Sequence, residues 1–151
     1  MKFSEHPRFL AYMELRASGN LPGAIEELEA LLGGAELMSA AHRAYLLQAS
    51  GSLLAEAGHI LRARSSFLQA EQADPESLLV LLGYARFLGE TLGDSVAAVA
   101  KCDELVAIAN RRPFDETEGD YSSVQYIERA MTLRARFITD VGGVDPSVPS
   151  A

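Results

Sequence analysis

The segment from residue 58 to residue 75, GHILRARSSFLQAEQADP, constrains the fold more than any other part of the chain. Ala63 and Ala70 stand four residues before and three residues after Phe67, so the three share one helical face, with a large ring between two small neighbours. Such a face lets another helix come close. Pro75 then ends this helix and suits the first turn of the next, because proline lacks the N–H that a helix interior needs. The segment therefore predicts a helical hairpin.

Apolar residues recur at intervals of three and four along most of the chain, and no stretch shows the sustained alternation of a strand bounded by turn signals. The sequence therefore predicts an all-α fold. The seven predicted helices run from Pro7 to Ser18, from Pro22 to Gly33, after Ser39 to Gly58, within residues 58–75, from Asp74-Pro75 to Leu92, after Gly93-Asp94 to Asn110, and from Ser123 to Asp140. Ser39 is expected to cap the third helix, and Ser122 with Gln125 has capping-box spacing for the seventh.

The remaining segments are polar. Residues 111–123, RRPFDETEGDYSS, are interpreted as a linker, and residues 142–151 as a short flexible tail without periodicity. A chain of 151 residues fits one domain by length, and a core of useful size needs no disulfide or metal at this length. We therefore expect a single helical domain over residues 1–141.

The paired helices invite a search for internal repetition. Each predicted helix pair has one alanine just inside its second helix, and a larger apolar or polarisable residue follows that alanine four residues later. These residues are Ala24 and Leu28, Ala63 and Phe67, and Ala98 and Cys102. The three alanines are 39 and 35 residues apart, near the period of about 34 residues found in tetratricopeptide repeats.

The middle of the chain resembles a tetratricopeptide repeat. The best copy spans residues 44–77 and carries Leu47, Gly51 and Leu54 in its first helix and Ala63, Phe67, Ala70 and Pro75 in its second. A more divergent copy over residues 78–111 keeps Leu81, Leu88 and Ala98 but has Ala85, Cys102 and Leu105 at other signature positions, and a copy over residues 5–38 keeps Tyr12, Leu15, Ala24, Leu28 and Leu31. The resemblance implies an α-α superhelix of about three hairpins with a C-terminal capping helix, in which Gly51 lets the partner helix approach.

The resemblance also implies a partner-binding surface, because the first helices of such pairs line a concave groove that holds a peptide or a partner's helix. The matching positions are Phe9 and Met13 in the first helix, Tyr45, Gln48, Ser52 and Glu56 in the third, and Leu79, Leu82, Arg86 and Glu90 in the fifth. The alternative is that the apolar members of this set are core residues. Some tetratricopeptide co-chaperones clamp a C-terminal carboxylate, but this chain has Leu79 and Gly83 where two of the cations would stand, so that mode is not expected.

The candidate residues for chemistry do not form a recognisable site. The histidines His6, His42 and His59 lie on different predicted elements, without a carboxylate or cysteine at ligand spacing. The acidic run over residues 115–120 departs from a calcium loop, because Thr117 and Gly119 stand at two ligand positions and Tyr126 stands in place of the closing glutamate. We therefore expect no metal, no cofactor and no enzymatic activity, and keep a helical ligand-binding domain or enzyme as the remote alternative.

Two residue types carry further expectations. Cys102 is the single cysteine and is expected to be a small buried apolar residue, and a free thiol fits a reducing compartment. Arginines concentrate only at the end of the sixth helix and along the seventh; these are Arg111, Arg112, Arg129, Arg134 and Arg136. They are expected to pair with acidic neighbours and helix ends, with anion or carboxylate recognition as the alternative.

The net charge of −8 bounds the class of partner. A negative field repels nucleic-acid phosphates and anionic lipids, so a protein or peptide, especially a basic one, is the expected partner. The sequence shows neither a signal peptide nor a run of roughly 18 apolar residues, which indicates a soluble, cytoplasmic protein.

The leading hypothesis is a non-catalytic protein–protein interaction module that binds its partner in a concave helical groove. The alternatives are a small acidic immunity-type protein that neutralises a basic toxin, and a secretion or effector chaperone. The sequence leaves open the oligomeric state, and also whether the concave groove or the arginine face of the seventh helix is the binding surface.

Overall fold

The computed structural model describes residues 5–34 and 38–140. This part of the chain contains seven α-helices, one π-helical turn and two short strands. The helices are α1 (Pro7–Ala17), α2 (Leu21–Gly33), α3 (Ala40–Glu56), α4 (Ile60–Ala73), α5 (Leu78–Arg86), α6 (Ser95–Asn110) and α7 (Ser123–Asp140); the π turn is Phe87–Thr91, and the strands are β1 (Thr117–Glu118) and β2 (Tyr121–Ser122). The all-α prediction is confirmed, with the two-residue strands as the exception. The predicted tail, residues 142–151, lies outside the described residues.

Several helix ends follow the local signals in the sequence. Ser39 caps α3, because its Oγ accepts a hydrogen bond of 3.1 Å from a backbone N–H of the first turn. Ser122 and Gln125 form the predicted capping box at the start of α7: the N–H of Ser122 donates to Gln125 Oε1 at 2.9 Å, and the N–H of Gln125 donates to Ser122 Oγ at 3.3 Å. Gly58 follows α3 with a φ of 85°, a backbone conformation that glycine adopts without strain.

The predicted start of the fifth helix at Asp74-Pro75 is wrong. Pro75 lies in a turn, and α5 begins at Leu78. The physical reason is a better cap further along the chain: Ser77 is in an extended conformation, and its Oγ accepts a hydrogen bond of 3.2 Å from the N–H of Val80. A serine cap satisfies a free helix donor, which a proline in the first turn cannot do.

The predicted fifth helix also changes type before it ends. Regular α-helical geometry stops at Arg86, and the chain continues as the π turn, in which the N–H of Leu92 donates to the carbonyl of Phe87, five residues earlier, at 3.1 Å. Gly89 lies in this turn. The wider turn brings the backbone of Gly89 against a neighbouring helix, as described below.

The chain divides between Pro75 and Glu76 into two compact units, which we call unit 1 and unit 2. In unit 1, α1 packs on α2, α2 on α3, and α3 on α4. The core of the α3–α4 hairpin contains Phe67, which is 1% exposed, over Gly51, where a β-carbon would lie 2.9 Å from the ring. The prediction that Gly51 permits a close approach is confirmed within this hairpin. The single domain over residues 1–141 stays a prediction.

In unit 2, α5 packs on α6, α6 on α7, and α5 on α7. Ala98, Cys102 and Leu105 are buried, with 0%, 1% and 0% exposure. Of these, the burial of Cys102 was predicted. The closest approach involves a different residue: a β-carbon at Gly89 would lie 2.1 Å from Cζ of Phe137 on α7. Helix α7 is therefore seated directly on the backbone of the π turn.

The segment between α6 and α7 is more ordered than the linker that the sequence predicted. Its two strands pair antiparallel, with Thr117 opposite Ser122 and Glu118 opposite Tyr121. The two-residue loop starts with Gly119, whose φ of 61° is the conformation that the first central position of a type II′ hairpin turn requires. The hairpin therefore depends on the glycine in its turn and not on an alternating hydrophobic pattern.

The hairpin places Glu118 at the start of α5. Oε2 of Glu118 accepts hydrogen bonds of 2.8 Å from Ser77 Oγ and from the N–H of Leu79, while Oε1 accepts from the N–H of Leu78 at 3.2 Å and from Arg112 Nη1 at 2.9 Å. Burial alone would raise the pKa of Glu118, but these donors outweigh burial and lower the pKa below its usual value. The acidic hairpin thus caps a helix, a role that its sequence did not indicate.

Candidate functional site

The predicted site residues of the first helix differ in exposure. Phe9 is buried, with its ring 5.6 Å from that of Tyr12 and 6.2 Å from that of Tyr45, whereas Met13 is 51% exposed. Phe9 therefore has the surroundings of a core residue, and Met13 is available on the surface of α1. The partner-binding role of both stays a prediction.

The predicted residues of the third helix share one face of α3. Tyr45, Gln48 and Ser52 are half-buried, and Glu56 is exposed. The Nε2 group of Gln48 donates to Ser52 Oγ at 3.2 Å, one turn further along. These two side chains are therefore hydrogen-bonded to each other, so a ligand that takes the place of either partner would have to replace that bond.

The predicted residues of the fifth helix divide between core and surface. Leu82 is 7% exposed and Leu79 is half-buried, whereas Arg86 and Glu90 are exposed. The two charged residues stand one turn apart, so they lie on the same side of the segment formed by α5 and the π turn. Both face α7.

A groove of about 390 Å³ runs between Arg86 and the exposed face of α7. The α7 residues that line it recur at intervals of three and four, as residues of one helical face do. They are Gln125, Glu128, Arg129, Thr132, Leu133 and Arg136. Leu133 is 4% exposed and contributes to the floor, while the polar side chains form the walls.

The helices on the two sides of the groove run in the same direction. At one end, Glu118 accepts a hydrogen bond from the N–H of Leu79, and its backbone carbonyl accepts one of 2.8 Å from the hydroxyl of Tyr126. At the other end, the π turn meets Arg136 and Phe137. Arg86 precedes Glu90 by one turn, so it lies at a level between Arg129 and Arg136.

Each groove arginine has a different environment. The guanidinium of Arg129 lies 4.0 Å from the ring centroid of Tyr121, an arrangement typical of a cation–π contact. Arg136 Nη1 is 3.1 Å from Oε1 of Glu90, and both side chains are largely exposed. In the described part of unit 2, the guanidinium of Arg86 has neither a hydrogen-bond nor an ion-pair partner. Arg86 is therefore available to a ligand without breaking a contact within its unit.

The groove has a positive excess of charge, with three arginines and one glutamate in its lining. This local sign opposes the net charge of −8 of the whole chain. A guanidinium presents a planar fork of N–H donors that matches the two oxygens of a carboxylate, and it keeps its charge at every physiological pH. The groove is therefore suited to bind an anion.

The other arginines singled out in the sequence are paired, as expected. Arg134 Nε lies 2.6 Å from Oδ1 of Asp103 on α6, and Arg111 Nη2 lies 3.3 Å from Oε1 of Glu76. Arg112 bonds to Glu118 at the hairpin. The α7 arginines thus separate into Arg134, which is bound to α6, and Arg129 and Arg136, which face the groove.

Cys102 has the environment of a core residue. The side chain is 1% exposed, so the prediction of burial is confirmed. Burial, with a smaller contribution from the negative charge of Asp103, raises the pKa of the thiol to about 11. At neutral pH the thiolate population is therefore very small, so we expect the thiol to be unreactive.

The three histidines lie at or near the starts of three different helices. Nδ1 of His6 accepts a hydrogen bond of 3.1 Å from the N–H of Arg8 and caps α1. His59 precedes α4, and His42 lies in the exposed first turn of α3. Within residues 5–34 and 38–140, no three His, Cys, Asp or Glu side chains are grouped so that they could hold a metal ion.

Sequence reasoning identified some groove residues and missed others. Arg86 came from the repeat resemblance, and Arg129 and Arg136 from their basic character. Gln125, Glu128 and Thr132 were missed, although they share a face with the two arginines at helical spacing, which was a usable signal. The meeting of α5 with α7 had no local signal, because it depends on packing between separate helices.

No protein family, no curated protein and no solved structure matches this chain. A search of the described helices for a long apolar span finds none that could cross a membrane.

Proposed function

We propose that this chain is a non-catalytic protein–protein interaction module, and that the arginine groove of unit 2 is its binding surface. The observation that carries the proposal is the exposed guanidinium of Arg86 in a groove that also contains Arg129 and Arg136. Exposed arginines in a groove are common anchors of protein interfaces, because one side chain offers both donors and apolar contact area.

The chemistry of the groove lining favours binding over catalysis. Arginine stays protonated, so it can hold and orient a charged group but does not exchange protons at neutral pH. Gln125 and Thr132 add hydrogen-bonding groups on the same face of α7, and Leu133 adds apolar surface at the floor. This combination of a few polar anchors over apolar surface is typical of a recognition site.

We further propose that the helix pairs are tetratricopeptide-like repeats in a superhelix closed by α7. Support comes from the hairpin in unit 1, where Phe67 lies over Gly51 and both Ala63 and Ala70 are 0% exposed. In unit 2, the capping role of α7 is supported by its packing on α5 and α6. The face formed by Tyr45, Gln48, Ser52 and Glu56 remains a second candidate surface under this proposal.

The acidic immunity-type protein and the secretion chaperone stay as alternatives. Both rest on small size and on the net charge of −8, which would attract a basic partner to the surface outside the groove. A basic partner would not be drawn to Arg86 and Arg129. The site of binding therefore separates these alternatives from the principal proposal.

Affinity purification of the tagged full chain from the cells that produce it tests the proposal. The groove variant is Arg86→Gln/Arg129→Gln. The control variant is Arg43→Gln/Arg64→Gln, which removes the same amount of charge from exposed positions of unit 1. The proposal expects a protein that copurifies with the wild type and the control variant but is lost from the groove variant. Identical protein sets from all three would contradict it.

A further inference from the structure

We propose that the groove between α5 and α7 binds an acidic segment of a partner protein in the polyproline II conformation, through two carboxylate side chains three residues apart. This inference rests on the proposed function and adds the chemistry of the partner. It follows from the positive excess of the groove, from the spacing of its arginines, and from the ion pair at its edge.

The charge of the groove selects the sign of the ligand. Arg86, Arg129 and Arg136 outnumber Glu128 in the lining, whereas the chain as a whole carries −8. A long polyanion such as a nucleic acid would meet the repulsive field of the rest of the chain over many phosphates. A short acidic peptide places its carboxylates in the groove alone, so the local positive charge decides its binding.

The geometry of α7 sets the spacing of the carboxylates. Arg129 and Arg136 are seven residues apart, so their α-carbons are separated by about 10.5 Å along the helix axis. A peptide in the polyproline II conformation has three residues per turn and advances about 3.1 Å per residue, so side chains three residues apart lie on the same side and about 9 Å apart. Two acidic residues with that spacing match the two arginines, and Arg86 lies between them.

The three arginines differ in their contacts, and each has a different role. The ring of Tyr121, 4.0 Å from the guanidinium, holds Arg129 in place before a ligand arrives. Arg86 has no partner to exchange within the described part of unit 2. Arg136 is bound to Glu90, but this ion pair is exposed, with 60% and 38% of the two side chains accessible. Exposed pairs are weak, so a carboxylate of the partner can replace Glu90 at little cost.

Glu90 therefore acts as an internal competitor for the ligand. Its carboxylate occupies the donors of Arg136 that the second acidic residue of the partner would use. Removing this carboxylate should make Arg136 available and strengthen binding. A purely structural role for Glu90 would predict the opposite or no change.

A titration followed by ¹H–¹⁵N NMR tests the inference with the full chain. The probes are short Gly/Ser peptides, acetylated and amidated, that carry two glutamates three residues apart, two glutamines at the same positions, or two adjacent glutamates. We expect saturable shifts of the Nε–Hε signals of Arg86, Arg129 and Arg136. The affinity should fall about tenfold or more for the glutamine peptide, since charge-assisted bonds become neutral ones, and by a smaller factor for adjacent glutamates.

Three variants locate the binding. Arg129→Gln should weaken binding of the first peptide about tenfold, whereas Arg111→Gln, an equal charge change at an exposed pair of unit 2, should change it less than about twofold. Glu90→Gln should strengthen binding about twofold to fivefold. The circular dichroism spectrum and the melting temperature of each variant establish that it is folded.

The inference fails if the glutamate and glutamine peptides bind equally, if none binds at millimolar concentration, or if single-stranded oligonucleotide binds more tightly than the glutamate peptide. These failures are distinguishable from failure of the proposed function. If the affinity purification loses a partner with Arg86→Gln/Arg129→Gln while the peptides do not bind, the interaction module stands and the acidic ligand is wrong. If the peptides bind but no copurifying protein depends on the groove, the groove binds acidic ligands and the proposed interaction module is wrong.

Discussion

In both unit 1 and unit 2, a phenylalanine ring packs against a glycine, but the two contacts join different elements. In unit 1, Phe67 of α4 lies over Gly51 of α3, so the ring and the glycine belong to one hairpin. In unit 2, the predicted repeat register places Ala85 where unit 1 has Gly51, and the glycine in close contact with a ring is Gly89, one turn later. Its ring, Phe137, comes from α7, outside the hairpin.

This difference explains why unit 2 has the groove. With Cys102 at the position of the ring, the α5–α6 hairpin needs no glycine at position 85. The close approach moves to the π turn, where it seats α7 alongside α5 and brings Arg86 opposite Arg129 and Arg136. The groove of unit 2 therefore depends on the contact between the ring of Phe137 and Gly89, which belong to different helical segments.

The largest expected effect is that of Gly89→Ala. The new β-carbon would lie 2.1 Å from Phe137, and the ring is 2% exposed and cannot move into solvent. We expect a loss of about 3 kcal/mol in the free energy of unfolding, measured by urea denaturation, because overpacking of a buried site costs about that much.

The control for Gly89→Ala is Gly33→Ala, at a helical glycine where an added β-carbon would meet no neighbouring heavy atom within 4 Å. Alanine favours helix more than glycine does, so this variant should be unchanged or slightly more stable. Phe137→Leu should recover part of the stability lost by Gly89→Ala. A Gly89→Ala protein as stable as the wild type would show that α7 is not seated on the π turn.

The second effect compares how the first helices of the two hairpins are capped. Ser39 caps α3 through its hydroxyl, whereas α5 has both Ser77 and the carboxylate of Glu118. We expect Glu118→Gln to cost about 2 kcal/mol at pH 7, since hydrogen bonds to a charged group are lost or weakened, and Ser39→Ala to cost about 1 kcal/mol. Urea denaturation of both variants measures the difference.

The contribution of Glu118 should depend on pH in one direction. Its donors lower the pKa of the folded carboxyl below that of the unfolded chain. The stabilisation is therefore fully present above the unfolded pKa and is lost as the pH falls through the folded pKa. The stability difference between wild type and Glu118→Gln should narrow on acidification. A difference that stays constant or widens at low pH would contradict this assignment.

The third effect is that of Gly51→Ala in unit 1. The β-carbon would lie 2.9 Å from the ring of Phe67, a less severe overlap than at Gly89. We expect a loss of about 1 to 2 kcal/mol by the same measurement, after the gain in helix propensity is included. A Gly51→Ala variant that is more destabilised than Gly89→Ala would contradict the conclusion that the closer contact between a glycine and a ring is in unit 2.

The sequence predicted what depends on neighbouring residues in the chain. The capping box of α7, the cap at Ser39 and the burial of Phe67 over Gly51 all lie within a hairpin or a single turn. Local chemistry sets these features, so helical spacing and cap residues were sufficient to find them.

The individual residue contacts that join distant segments were not predicted. Glu118 was expected only as a member of the acidic segment that pairs with arginines, because nothing near it in the chain shows that a hairpin carries it to the start of α5. Phe137 could be assigned to the apolar face of α7, but not to Gly89, since the π turn has no sequence signature. The groove was found only in part for the same reason: its arginines were recognised separately, and their meeting depends on how α5 and α7 pack.

The smallest effect compares two arginine–tyrosine contacts. In unit 1, Arg16 Nη1 donates to the hydroxyl of Tyr12 at 3.0 Å, so the contact needs the oxygen. In unit 2, Arg129 lies over the face of Tyr121, so the contact needs only the ring. Tyr12→Phe should therefore cost about 1 kcal/mol, while Tyr121→Phe should leave stability unchanged and Tyr121→Leu should cost about 0.5 to 1 kcal/mol. Thermal melts and urea denaturation measure these differences. A Tyr121→Phe variant as destabilised as Tyr121→Leu would mean that the hydroxyl matters, and that the ring does not hold Arg129 in the groove.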